Sequence, residues 1–86
     1  MTDNEIIEKI NSSLAEEFEF ALEEMKPETT LFEEMELDSL DMVDMVIALE
    51  TTFGMRIRED EAIRNIRTLG DIHKFVIEKK RQLESA

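Results

Sequence analysis

The chain has 86 residues, with 10 Lys+Arg against 22 Asp+Glu and a net charge of −12. That length predicts one domain, residues 1–86. The 42% hydrophobic content supplies a core despite 37% charged residues. The absence of cysteine excludes disulfides, thiolate metal sites and a thiol nucleophile, and a single histidine leaves little for acid–base pairs. Apolar runs fall far short of the roughly 20 residues of a membrane-spanning helix. The opening Met1-Thr2-Asp3-Asn4-Glu5 is acidic, unlike a basic leader. The expectation is a cytoplasmic monomer with no membrane insertion, repelled by nucleic acid and suited to cationic partners. The acidity is uneven: residues 1–55 hold 2 Lys+Arg against 16 Asp+Glu, and residues 56–86 hold 8 against 6.

Only two Gly and one Pro occur, and β-branched residues do not alternate with polar ones. The fold class is therefore all-α. The first helix is predicted from about Asn4 to Met25, capped by Asp3 or Asn4. Ile6, Ile10, Leu14, Phe18, Leu22 and Met25 recur at spacings of four and three and form its apolar stripe. Pro27 cannot continue it. A loop follows from about Lys26 to Asp38, with a capped turn at Thr30-Leu31-Phe32-Glu33. Leu31, Phe32, Met35 and Leu37 are too apolar for a free loop and should pin it to the core.

The second helix is predicted from Ser39 to Phe53, with Asp38 as N-cap, Asp41 completing a capping box and Gly54 as the stop. Its apolar residues spread over more than half the circumference, wider than one neighbouring helix needs. It reads as a central helix packed on several sides, as one that keeps part of the arc for a pocket or docking surface, or as both together. A short third helix is predicted over Glu59–Asn65, contributing Ile63 and Ile66. Thr68-Leu69-Gly70-Asp71 reads as another capping box. The last helix runs from there to about Gln82, with Ile72, Phe75, Val76 and Leu83 as its stripe and His73 at the surface or partly buried. The sum is a small four-helix bundle, three longer helices and one short third helix.

Asp38-Ser39-Leu40 sits where an apolar-pinned loop meets this second helix. Alone the tripeptide is ordinary helix-start chemistry. In context, the run from Leu31 through Asp38-Ser39-Leu40-Asp41-Met42-Val43 to Leu49-Glu50 and Phe53-Gly54 resembles the acyl carrier proteins. Their pattern is roughly Leu-Gly-x-Asp-Ser-Leu followed by an acidic amphipathic helix. The resemblance continues through Ile57, Glu59-Asp60-Glu61-Ala62 and Thr68-Leu69-x-Asp71, and spans about residues 4–80.

The resemblance implies a free-standing carrier, not an enzyme. Its cofactor would be 4′-phosphopantetheine, attached by a phosphopantetheinyl transferase to Ser39, with Asp38 capping the helix and Leu40 anchoring its first turn in the core. Asp38, Asp41, Asp44 and Glu50 would pair with basic docking patches on acyl-transfer and condensing enzymes, and Met45 and Ile47 would add apolar contacts. Val43, Val46, Leu49, Phe53, Ile57, Ala62, Ile63 and Ile66 would surround the acyl chain. No metal site is expected beyond weak divalent-cation binding by the acids. The pathway would be fatty acid or a specialised lipid or polyketide synthesis. The alternatives are an aminoacyl or D-alanyl carrier of the same fold, and an acidic helical interaction module that receives no arm. A self-acting Ser39 nucleophile lacks an adjacent base in the sequence. Departures from the family pattern are Glu36 in place of Gly, Thr51 and Thr52 in place of acids, and Arg58 in place of Pro.

Overall fold

A computed structural model describes residues 2–57 and 61–85, which form helices α1 (Asp3–Phe18), α2 (Ser39–Phe53) and α3 (Leu69–Ser85). Short 3-10 helices occupy Leu22–Glu24 and Glu61–Asn65. The all-helical bundle is as expected, but the short member before the last helix is a 3-10 helix at Glu61–Asn65. Glu59 and Asp60, placed in that helix by the sequence, lie outside the described residues, as does Arg58.

The first helix departs most from the periodicity. Its N-cap is Thr2 rather than the expected Asp3 or Asn4: Glu5 N–H donates to Thr2 Oγ1 (3.2 Å) and Thr2 N–H to Glu5 Oε1 (2.9 Å). These bonds to Thr2 hold the Glu5 carboxyl below its usual range. Ile6, Ile10 and Leu14 are buried as the stripe predicted. The helix then stops at Phe18, well short of Met25, because Glu19 turns left-handed (φ 54) and Phe20 N–H reaches back to Ala15 O (3.0 Å). A non-glycine in that region costs on the order of 1–2 kcal/mol. The turn lets Phe18 and Phe20 both pack against the core, which a continuous helix would not allow for residues two apart. Leu22 leaves the stripe and is 52% exposed, while Met25 reaches the core from the next segment.

The loop before α2 is pinned as predicted at Leu31, Met35 and Leu37, all buried, but Phe32 stays exposed. Its capped turn pairs Thr30 with Glu34 rather than Glu33: Glu34 N–H donates to Thr30 Oγ1 (3.1 Å) and Thr30 N–H to Glu34 Oε1 (3.2 Å). The loop is also stitched to the start of α3. Leu31 N–H donates to Arg67 O (2.9 Å), Leu69 N–H to Thr29 O (3.0 Å) and Gly70 N–H to Pro27 O (2.7 Å). Gly70 has to be glycine there, since a Cβ would stand 2.9 Å from the Pro27 carbonyl oxygen.

Helix α1 packs against both α2 and α3. Asp3 meets Arg81 (2.8 Å) and Asn11 meets His73 (2.8 Å), so α1 and α3 run antiparallel. On the other side, Ser13 Oγ meets Thr52 Oγ1 at 3.1 Å. The core between the helices joins Ile10 and Leu14 to Met45 and Leu49 of α2 and to Leu69, Ile72 and Val76 of α3. Helix α3 continues past the expected Gln82 to Ser85, and Leu83, placed on its stripe by the sequence, is 55% exposed. No helix among the described residues is long and apolar enough to cross a membrane.

Candidate functional site

Helix α2 begins and ends where its local sequence dictates. Asp41 N–H donates to Asp38 Oδ1 (2.9 Å) and Asp38 N–H to Asp41 Oδ2 (3.0 Å), a reciprocal box. The first intrahelical bond runs from Met42 N–H to Asp38 O (3.0 Å). At the far end Gly54 takes the left-handed cap (φ 63). Two residues before the box, Glu36 holds φ 56, so the loop enters α2 through a left-handed turn. That is the conformation a glycine would supply, and it persists here with a glutamate.

The box fills the N–H groups of Asp38 and Asp41 and no others. Among the described residues, no acceptor meets the N–H of Ser39 or Leu40. Ser39 is exposed. The first turn of α2 therefore presents a hydroxyl and two N–H donors together, at the positive end of the helix dipole. A phosphodiester fits that donor set.

Leu40 does not anchor the turn in the core; it is 76% exposed. Helix geometry gives the reason. At about 100° per residue, Leu40 lies about 180° from the buried Leu49. Helix α2 carries two apolar stripes on opposite faces. Met45, Val46 and Leu49 form the buried one, while Leu40, Val43 and Ile47 form a bare one at i, i+3 and i+7. Met45, expected at a partner surface, is fully buried and offers no contact, whereas Ile47 is exposed as expected.

The acids also divide. Asp38 and Asp44 are exposed and Asp41 is half-buried at the start of the helix. Glu50, expected to face a partner, turns inward, and its Oε2 accepts the Ile57 N–H at 2.9 Å. It ties the chain that follows Gly54 back to α2. Two acids the sequence reading left out join the field from α1. Glu16 and Glu17 form one wall of an open cleft of about 410 Å³, with Asp44 and Ile47 on the other and the Ser13–Thr52 pair at its end. The signal was present in the sequence as acids off the α1 stripe, but their partner wall is set only by helix packing.

Of the residues expected to surround a cargo, Val46, Leu49, Ile57 and Ile66 are buried in the common core, and Phe53 and Ile63 pack against it. Val43 and Ala62 are exposed and are not core residues. Ala62 instead opens on a cleft of about 190 Å³ lined also by Phe75 and Lys79. Among the described residues, no group of three or more His, Asp or Glu side chains is arranged to hold a metal. His73 is buried, with Nε2 held 2.8 Å from Asn11 Oδ1 on α1.

Residues 8–76 match the family described as the phosphopantetheine attachment site. The chain belongs to the acyl carrier protein family. Acyl carrier protein 2 of Ralstonia nicotianae (strain ATCC BAA-1114 / GMI1000) is 43% identical over 72 residues, covering 84% of this chain and 88% of that protein. The acyl carrier protein of Thermosynechococcus vestitus (strain NIES-2133 / IAM M-273 / BP-1) is 34% identical over 76 residues, covering 88% of this chain and 93% of that protein. Acyl carrier proteins are carriers, not catalysts. Their cofactor is 4′-phosphopantetheine, and they interact with phosphopantetheinyl transferases and acyl-handling enzymes.

Proposed function

We propose that this acyl carrier protein holds its 4′-phosphopantetheine arm on Ser39 and shuttles acyl groups in fatty acid synthesis or a related specialised lipid or polyketide pathway. The observation that carries this reading is the open first turn of α2. An exposed serine hydroxyl stands beside two N–H groups that the Asp38–Asp41 box leaves unfilled. Once bound, the arm supplies a terminal thiol that holds the cargo as a thioester.

The protein's own residues do the positioning. Asp38 and Asp41 lock the helix start, so the Ser39 hydroxyl points from a fixed backbone into solvent. The Ser39 and Leu40 N–H groups would hold the phosphate of the arm, which the helix dipole also favours. Leu40, Val43 and Ile47 form an apolar ridge, and Asp38, Asp41 and Asp44 flank it with negative charge. A cationic enzyme surface docks there: the acids guide encounter and orientation, and the ridge gives the contact area. Exposed ion pairs are weak and screened by salt, which suits a carrier that must leave each enzyme it visits. Val46, Leu49, Ile57 and Ile66, with Phe53 and Ile63, form the wall behind which a cargo would insert.

Incubation with coenzyme A and a broad-specificity phosphopantetheinyl transferase tests the reading. The intact mass should rise by one arm in the wild type and stay unchanged in Ser39→Ala. A wild type that gains nothing would leave an acidic interaction module; a gain that survives in Ser39→Ala would move the attachment elsewhere.

A further inference from the structure

We infer that His73 and Asn11 form a pH-sensitive latch between α3 and α1. Residue 73 is 5% exposed, and its Nε2 lies 2.8 Å from Asn11 Oδ1, across the antiparallel seam. An amide oxygen only accepts, so Nε2 carries the hydrogen and donates it. This imidazole is the chain's one histidine. The pair sits on the seam that brings Ile10 and Leu14 together with Ile72 and Val76 in the core.

Protonation would place a full charge in this seam with a neutral amide as its partner. Burial lowers the proton affinity of the ring, with no charged neighbour adding to that effect. Among the charged groups around the pair, Glu8 one turn before Asn11 on α1, Lys74 after His73 on α3, and Lys26 and Glu28 beside Pro27, which touches Gly70 one turn before His73, are exposed, while the half-buried Asp71 is turned to the Arg67 and Thr68 N–H groups. None supplies a buried carboxylate to hold an imidazolium. The folded midpoint therefore lies below the unfolded value of 6.5, and the unfolded chain binds the extra proton first. The stability contributed by the neutral latch is complete above pH 6.5 and is lost as pH falls through the folded midpoint. Each pH unit of displacement weakens the folding equilibrium about tenfold once both states are protonated.

The interval from pH 7.5 to 5.5 brackets the unfolded value of 6.5. In that interval, at constant ionic strength, the urea midpoint of the wild type should fall. His73→Gln, whose amide can still donate to Asn11, should be flat. Asn11→Asp keeps the shape but places a carboxylate beside the ring, so its midpoint should rise above 6.5 and the slope should reverse. A proton NMR titration of the one imidazole reads the wild type directly and does not depend on either variant folding. A midpoint at or above 6.5, or an unchanged slope in His73→Gln, would overturn the latch. The test uses the chain without its arm, so its outcome is independent of whether Ser39 is modified.

Discussion

Helices α2 and α3 begin with the same device and end up with opposite fates. Each opens on a box with an aspartate at the fourth place, Asp38 to Asp41 and Thr68 to Asp71. In α3 the two N–H groups that a box leaves over are taken by the loop, Leu69 by Thr29 O (3.0 Å) and Gly70 by Pro27 O (2.7 Å). In α2 the equivalent groups, on Ser39 and Leu40, meet no acceptor among the described residues. One start is sealed by the protein's own backbone and serves the fold. The other is left with donors to spare and faces solvent. Capping chemistry alone does not make a phosphate site; what matters is whether a neighbouring segment has already occupied the free amides.

The largest contrast between the two starts separates chemistry from stability. Ser39→Ala should abolish arm attachment, read by intact mass, while shifting folding stability by no more than ~0.5 kcal/mol, as for an ordinary exposed site. Gly70→Ala at the sealed start should do the reverse. Its Cβ would meet the Pro27 oxygen at 2.9 Å, forcing the stitch apart. Urea unfolding should show a loss of about 1–3 kcal/mol, with arm attachment persisting in whatever fraction is folded.

Removing either cap should cost about 0.5–2 kcal/mol, but only one should touch function. Asp38→Ala should slow arm loading at low salt, and Thr68→Ala should not; equal loading rates would break the comparison. Glu36→Gly should stabilise by up to about 1 kcal/mol, since it relieves a left-handed glutamate while adding glycine's unfolded-state entropy. A melting curve checks it. The smallest effect concerns Asp71, whose carboxyl is held below its usual range chiefly by the Arg67 N–H, with Thr68 assisting. A lowered folded value means its contribution is present above pH 3.8 and is lost as pH falls through that folded value. Asp71→Asn should therefore show a slightly shallower loss of melting temperature below pH 4 than the wild type.

Much of the molecule was legible where the determining contacts are close along the chain. The bounds of α2 followed from Asp38, Asp41 and Gly54, and the second box from Thr68 and Asp71, because both partners of each cap lie within one turn. The placement of Ser39 at the head of a helix followed from the same local rule. The excess width of the α2 apolar arc left open whether the helix is packed on several sides or keeps a docking face. Which residues held that face was less clear. Leu40 was assigned to the core and Met45 to the surface, and the structure places Leu40 at 76% exposure and Met45 at 0%. A strict count of helical angle from Leu49 would have put Leu40 on the far side. Glu50 could not be known to turn inward until Ile57 was brought back beside it.

By itself the sequence determined the helical class, the two capped starts, the acidic N-terminal two-thirds and the family pattern around Ser39. These depend on side-chain periodicity and on bonds between residues three or four apart. Only the tertiary structure decided where α1 breaks, which apolar stripe of α2 stays bare, and which helix start remains open. Those outcomes depend on contacts between distant segments: Phe20 finding the core, α1 covering one face of α2, and the loop at Pro27–Thr29 reaching α3 but not α2. Local chemistry offers the same unfilled amides at both helix starts, and long-range packing settles which of them keeps them.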